Sequence, residues 1–139
     1  MRLVSLFAAS CLLVGLTGCV IGSSSDLPKD TTPVAGNGTL IIDWTIDGST
    51  DPNRCNQSSS ETLEILIVPA DGRQERSFSQ ACDLFAASID LAPGDYSASA
   101  VLVDAGGNAR TTTLDIDPFR ILGDDELSTP IDFPASSFF

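Results

Sequence analysis

The sequence of 139 residues contains no histidine, and its single methionine is Met1. Cationic side chains are also scarce, because seven Lys and Arg stand against nineteen Asp and Glu, for a formal net charge of −12. Without histidine, neither a Ser-His-Asp nor a Cys-His nucleophilic site can form. The basic surface that nucleic-acid binding requires is missing as well. Paired carboxylates could still support catalysis without histidine, but no motif marks out such a pair, so we predict no enzymatic activity and no nucleic-acid partner.

The sequence also lacks an apolar run long enough to cross a membrane. The apolar stretch at residues 3–16 has 14 residues, whereas a membrane-spanning helix needs about 20. It follows the positively charged start Met1-Arg2 and precedes small residues. A charged start, a short apolar run and a small-residue cleavage site are typical of a secretory signal peptide. We therefore predict that residues 1–18 are removed on export.

The end of this segment, Leu16-Thr17-Gly18-Cys19, resembles the lipobox of bacterial lipoproteins. In that family the cysteine is joined to diacylglycerol, becomes the first residue of the mature chain and is usually acylated. The resemblance implies a lipid on Cys19 and attachment to a membrane, because two or three acyl chains anchor a protein stably whereas one does not. Val20 in place of Asp implies the outer membrane if the envelope is Gram-negative. The alternative is an ordinary signal peptide with a chance cysteine.

Residues 20–37 are rich in Ser, Thr, Pro and Gly and follow no strand or helix period. Such a composition buries too little apolar surface to order itself. We predict that residues 19–37 comprise the lipidated cysteine and a flexible tether, although a leader without a role fits the same composition. Residues 38–139 have the length of one β-sandwich domain.

Apolar and polar residues alternate along most of residues 38–139, which is the period typical of β-strands. We predict an all-β fold, a single antiparallel β-sandwich of about seven strands. The predicted strands cover residues 40–46, 63–68, 73–80, 85–91, 96–104, 110–116, 119–122 and 127–133. Residues 63–68 are apolar on both faces and are predicted to be central, whereas 73–80 are predicted to lie at an edge and 47–60 to form a polar loop. Trp44 and Tyr96 fall at positions predicted to face the core.

Two segments resemble parts of known β-sandwich families. Pro93-Gly94-Asp95-Tyr96, with Asp104-Ala105-Gly106-Gly107-Asn108 after the next strand, resembles the late strands of bacterial immunoglobulin-like modules. Pro130-Ile131-Asp132-Phe133 after a Gly-Asp turn is similar to transthyretin-like and carboxypeptidase-regulatory-like sandwiches. Both resemblances imply about seven strands in two sheets, and neither implies an activity.

Two of the four cysteines, Cys55 and Cys82, lie in the segment that we predict to be exported and folded. An even pair of cysteines in an oxidising compartment predicts a disulfide bond. Their separation matches neither a Cys-x-x-Cys redox motif nor the usual spacing of zinc ligands.

Acidic residues cluster in the predicted loop after the first strand, where Asp47, Asp51 and Asn53 are candidate ligands for Ca²⁺. Oxygen ligands at short spacing can hold this ion, although the spacing differs from that of a helix-flanked calcium loop. The same residue types are common in turns. We predict no other cofactor apart from the covalent lipid on Cys19.

Together these features predict a lipid-anchored, non-catalytic β-sandwich of the bacterial cell envelope. It would act as a structural or protein-interaction module, held to the membrane by its lipid, with an envelope protein as a candidate partner. The alternative is an accessory module that binds Ca²⁺ or a glycan through residues 47–53.

Overall fold

The computed structural model of the protein describes residues 36–139. These residues form seven strands, one short helix and two 3-10 turns. The strands are β1 (Gly38–Ile46), β2 (Thr62–Pro69), β3 (Arg76–Ala81), β4 (Ala86–Leu91), β5 (Gly94–Val103), β6 (Leu114–Ile121) and β7 (Glu126–Phe133). Helix α1 spans Pro52–Gln57, and the 3-10 turns span Cys82–Leu84 and Ala135–Ser137. The predicted all-β fold with about seven strands is confirmed.

The predicted signal peptide, Cys19 and the tether up to residue 35 lie outside the described residues. Within residues 36–139, no helix has the length and apolar character needed to cross a membrane.

The strands form two sheets, with the orders β4-β1-β7 and β3-β2-β5-β6. The predicted central position of β2 and the edge position of β3 are confirmed. The sandwich is not wholly antiparallel, because β1 and β7 pair in parallel from Thr39 opposite Glu126 to Ile46 opposite Phe133. No hairpin joins these two strands, so no tight turn imposes an antiparallel orientation on them.

The core lies between the two sheets and is built from the alternating inward side chains of both. Its fully buried members include Leu40, Ile42, Leu63, Ile65, Ile67, Leu91, Leu102 and Phe133. Trp44 and Tyr96 are also buried, as predicted, with 1% and 4% of their surface exposed. Burial of each large apolar side chain contributes about 1.5–3 kcal/mol, and the alternation of such residues therefore holds each strand in its register.

Helix α1 lies inside the segment predicted to be a polar loop, so that prediction is wrong for residues 52–57. Asp51 caps the helix, because its carboxylate accepts a hydrogen bond from the Asn53 backbone N–H. Pro52 occupies the first turn, where the missing N–H has no intrahelical partner to lose. The Asp-Pro-Asn sequence, which also suits a turn, is here the start of a helix.

The predicted strands 110–116 and 119–122 are in fact one strand, β6, which begins only at Leu114. The strand tolerates Pro118 because it lies at a sheet edge, where a missing N–H need not break a ladder hydrogen bond. Residues 110–113 leave the ladder, and there the hydroxyl of Thr111 accepts a hydrogen bond from the Leu102 backbone N–H at 3.1 Å. A side chain therefore supplies the partner that a strand backbone would otherwise provide.

Candidate functional site

A disulfide bond joins Cys55 in α1 to Cys82 in the 3-10 turn after β3, with a Cα–Cα distance of 6.0 Å. The predicted pairing is thereby confirmed. Both cysteines are buried, and the indole N–H of Trp44 donates to the Cys82 carbonyl at 3.1 Å. The bond thus attaches the short helix to the core beneath it.

The predicted calcium ligands lie close together in the sequence, but their carboxylates contact neighbouring residues of the same segment. The Asp51 carboxylate accepts hydrogen bonds from both the backbone and the side-chain N–H groups of Asn53, each at 2.9 Å. Asp47, in a left-handed conformation with φ of 52°, lies 3.9 Å from the Arg54 guanidinium. Across residues 36–139, no group of three Asp, Glu, His or Cys side chains is arranged to hold a metal ion. The described geometry therefore provides no ligand set for the calcium hypothesis, which stays a prediction.

The turn after β5 uses its acidic residue to organise the backbone. One oxygen of the Asp104 carboxylate accepts from the backbone N–H groups of Asn108 and Gly106, at 2.9 and 2.8 Å. The Asn108 side chain donates to the same carboxylate. These hydrogen bonds, that of the Asn108 backbone first, lower the pKa of Asp104 below its ordinary value, with a smaller contribution from the charge of Arg110. The Asp104 carboxylate therefore stabilises the turn through its hydrogen bonds.

A pocket of about 300 Å³ opens beside α1, where the end of β1 meets the residues that follow β7. Arg54 and Arg110 line it, and Asp47 is the only carboxylate side chain among its lining residues. Its apolar wall is formed by Ile46, Ala135, Phe138 and Phe139. Phe139 is 75% exposed, the largest exposed fraction among the large apolar side chains of the described residues.

Two other arginines, Arg73 and Arg120, hydrogen-bond to carboxylates. Arg120 makes two hydrogen bonds with Asp95, at 2.7 and 3.0 Å, and these bonds lower the pKa of Asp95. Arg73 donates to Asp71 at 2.6 Å and to the Tyr96 hydroxyl at 3.2 Å. The hydrogen bond to Tyr96, followed by that to Asp71, raises the pKa of Arg73.

The outer face of the three-stranded sheet is acidic. Its outward side chains include the exposed carboxylates of Asp43, Asp90, Glu126 and Asp132. Hydroxyl groups donate to three of them: Thr39 to Asp90, Thr45 to Asp132 and Ser128 to Asp43, at 3.1, 2.6 and 3.2 Å. Because hydroxyls are neutral, these contacts orient the carboxylates without cancelling their charge, and the face stays negative.

The outer face of the four-stranded sheet carries the exposed charged residues Asp95, Asp115 and Arg120 on β5 and β6, but its middle has a different composition. Small hydroxyl and apolar side chains of β2, β3 and β5 line a groove of about 560 Å³, hereafter the sheet groove. Its side chains come from Glu64, Leu66, Ser77, Ser79, Ser99, Val101 and Thr113. Leu66 and Val101 are only half-buried, and Glu64 is the only charged residue in the lining.

Neither the pocket nor the sheet groove was predicted from the sequence. Arg54 and Arg110 are far apart in the chain and approach only in the folded domain. The outward apolar residues of β2 were a usable signal, because Leu66 and Val68 alternate with the core residues of that strand. Their apolar character predicts a central strand, which is confirmed, but the second face is not covered, since Val68 is 37% exposed.

No protein-family model matches the sequence, and no curated protein matches it. The fold has weak likenesses among solved structures. One is a leucine-rich repeat protein from Bacteroides thetaiotaomicron, with 12% identity and a TM-score of 0.45 over 72% of this chain and 14% of that one. Another is a proposed adhesin from Bacteroides ovatus, with 16% identity and a TM-score of 0.45 over 87% of this chain and 50% of that one. The chain therefore spans at most half of either protein, and similarity at this level carries no argument about function.

Proposed function

We propose that this protein is a lipid-anchored, non-catalytic β-sandwich of the bacterial cell envelope that binds another protein through the sheet groove. The observation that carries the proposal is the composition of the sheet groove. Glu64 is the only charged residue that lines the sheet groove, and the nearest charged residue along the ladder is Asp115, opposite Ser99 in β6. Depletion of charge and half-exposed apolar side chains are characteristic of the centre of a protein interface.

The composition of the sheet groove also favours one kind of partner. Leu66 and Val101 offer apolar contact, the serines offer hydrogen bonds, and Glu64 calls for a cationic group opposite it. A second copy of this chain fits poorly, because two Glu64 carboxylates would approach one another in a face-to-face pair. Residues 36–139 contain seventeen Asp and Glu and five Arg, so two copies repel one another over longer distances too. The expected partner is a different protein with an apolar patch and a Lys or Arg beside it.

The anchoring part of the proposal is supported by the lipobox resemblance at Cys19. An acidic domain is repelled by anionic lipid headgroups, so surface charge would not hold it on a membrane and a covalent lipid would have to. Val20 after the cysteine favours the outer membrane if the envelope is Gram-negative.

The absence of catalysis is part of the proposal and has two supports. The chain has no histidine, which removes the commonest general base. A carboxyl group that acts as a general acid near neutral pH needs a raised pKa. Each resolved shift among the carboxyl groups of residues 36–139, at Asp71, Asp95 and Asp104, is downward.

Site-specific photo-crosslinking in the intact envelope tests the interaction. A photoreactive amino acid replaces Leu66 or Val101 in the sheet groove, and Ser88 on the three-stranded face serves as the matched control. We expect one protein adduct from both groove positions, none from Ser88, and loss of the groove adducts when Glu64→Lys is added. Equal adducts from Ser88, or groove adducts that Glu64→Lys leaves unchanged, would contradict the proposal.

Metabolic labelling with an alkyne analogue of palmitate tests the anchor separately. The wild-type chain should be labelled and sediment with membranes, whereas Cys19→Ser should be unlabelled. Labelling of Cys19→Ser at the wild-type level would show that Cys19 is not the lipidated residue.

A further inference from the structure

We propose that the pocket between Arg54 and Arg110 binds a small anion, carboxylate or phosphate, that is attached to an apolar body. The site is distinct from the sheet groove, and the inference does not depend on the proposed partner. It rests on the donors that the two arginines leave available, on the backbone segments that hold them and on the apolar wall beside them.

The first argument is that cationic donors converge here although cations are scarce. Residues 36–139 contain five arginines, and two of these line the same small pocket. Of the other three, Arg73 and Arg120 hydrogen-bond to carboxylates and Arg76 lies over the Phe78 ring at 4.8 Å. With Asp47 as the only acidic side chain in the lining, the side chains of this pocket carry two positive charges against one negative charge, in an otherwise acidic domain.

The second argument concerns the donors themselves. A guanidinium group has five N–H donors and no acceptor. Arg110 uses Nε to donate to the Ser58 carbonyl at 3.1 Å, which leaves its two terminal nitrogens for a ligand. Arg54 approaches Asp47 only to 3.9 Å, which is too long for a hydrogen bond. In the part of the chain described, no carboxylate hydrogen-bonds to either arginine, so an anion can occupy the fork of each.

The third argument is that the backbones of both arginines and the guanidinium of Arg110 are held in place. Arg54 belongs to α1 and precedes Cys55, whose disulfide bond attaches that helix to the core. Arg110 is held through its backbone, which donates to the Leu102 carbonyl at 2.7 Å and accepts from the Phe139 N–H at 3.2 Å. Groups that are positioned before a ligand arrives lose less entropy on binding.

The apolar wall specifies the rest of the ligand. Phe138 packs against the core while Phe139 stays largely exposed, so a ligand that covers Phe139 removes apolar surface from water. A volume of about 300 Å³ lies at the small end of the range for ligand pockets, which is roughly 300–1,000 Å³. An anionic group with a body the size of one aromatic ring suits these dimensions.

Titration with simple probes, followed by ¹H–¹⁵N NMR of the folded chain, tests the proposal. The probes are phenyl phosphate, phenylacetate, inorganic phosphate and benzyl alcohol. We expect phenyl phosphate or phenylacetate to produce saturable shifts of the Arg110 Nε–H and Phe139 N–H signals. A preference for one of these two probes assigns the anion as a phosphate or a carboxylate. The inorganic and the neutral probe should each bind at least about tenfold more weakly, because each lacks half of the recognised structure.

Variants then separate this site from diffuse charge attraction. Arg54→Gln and Arg110→Gln should each weaken binding of the better aromatic anion by about tenfold, whereas Arg120→Gln should leave it unchanged. Arg110→Gln removes the contact with Ser58 and could alter the fold. In that case Arg54→Gln decides the test, because the Arg54 side chain is 42% exposed and its replacement should leave the fold intact. The proposal is wrong if neither aromatic anion gives saturable shifts, if Arg120→Gln weakens binding as much as Arg54→Gln, or if inorganic phosphate or benzyl alcohol binds as tightly as the aromatic anions.

Discussion

Removal of the Cys55–Cys82 disulfide should cost this domain a large part of its stability. The two cysteines are separated by 27 positions in the sequence. The cross-link between them lowers the conformational entropy of the unfolded chain. Loop-closure entropy for about 28 residues corresponds to roughly 3–4 kcal/mol at 25 °C. Domains of this size are typically stable by about 5–15 kcal/mol. The double variant Cys55→Ala/Cys82→Ala should therefore fold only marginally at 37 °C.

Urea unfolding followed by tryptophan fluorescence measures this loss directly. Trp44 is the only tryptophan, it is buried, and its indole donates to the Cys82 carbonyl. Its emission should therefore respond both to global unfolding and to displacement of the cross-linked turn. The variant should also have a larger m-value, because an unfolded chain without the cross-link exposes more surface.

A matched variant separates the cross-link from the helix that it holds. Asp51→Ala removes the cap of α1 but keeps the disulfide, and should cost about 0.5–2 kcal/mol. If the cysteine variant loses no more stability than Asp51→Ala and keeps the wild-type m-value, then the entropic argument is refuted. The bond would then do no more than hold α1 against the domain.

Three further predictions concern single side chains. Thr111→Val should lower the free energy of unfolding in urea by about 1–3 kcal/mol, because it leaves the Leu102 N–H unpaired, while Thr111→Ser should retain most of the stability. Tyr96→Phe should cost about 0.5–1.5 kcal/mol in the same assay, because the Tyr96 hydroxyl donates to the Ala92 carbonyl at 2.6 Å; an unchanged midpoint would contradict this role. The pKa of Asp104 is lowered in the folded protein. The ionised carboxylate therefore stabilises the fold at pH values above the unfolded-state pKa of about 3.9, and this stabilisation is lost as the pH falls through the folded-state pKa. Asp104→Ala should therefore be less stable than wild type at pH 7 and approach it in acid, and a pH-independent difference would contradict this assignment.

The strands that the sequence predicted well are those whose burial differs most between the two faces. In β4, buried and exposed residues alternate without exception, and the same period is visible in the sequence. The disulfide was predictable from the number of cysteines expected after export. The helix α1 was not, because its six residues are too few for a helical hydrophobic period to appear.

The remaining differences arise from contacts between distant segments. The parallel pairing of β1 with β7 joins opposite ends of the domain, and neither strand contains a local signal of its partner. The late start of β6 has the same origin, since Thr111 leaves the ladder to bind the backbone of β5. The candidate sites were missed for this reason too, because Arg54 and Arg110 meet only when α1 and the segment after β5 are packed.

The edges of the two sheets bear on how a partner could bind. Strands β6 and β7 lie at sheet edges and contain Pro118 and Pro130, and proline at an edge opposes pairing with another strand. The edge of β4 is partly covered, because the Arg76 guanidinium donates to the Asp90 carbonyl at 3.4 Å. Strand β3 has no proline, and its outward residues Ser77 and Ser79 line the sheet groove. A partner bound in that groove would thus lie beside the least protected edge. The same partner would then contact the sheet face with its side chains and pair its backbone with β3.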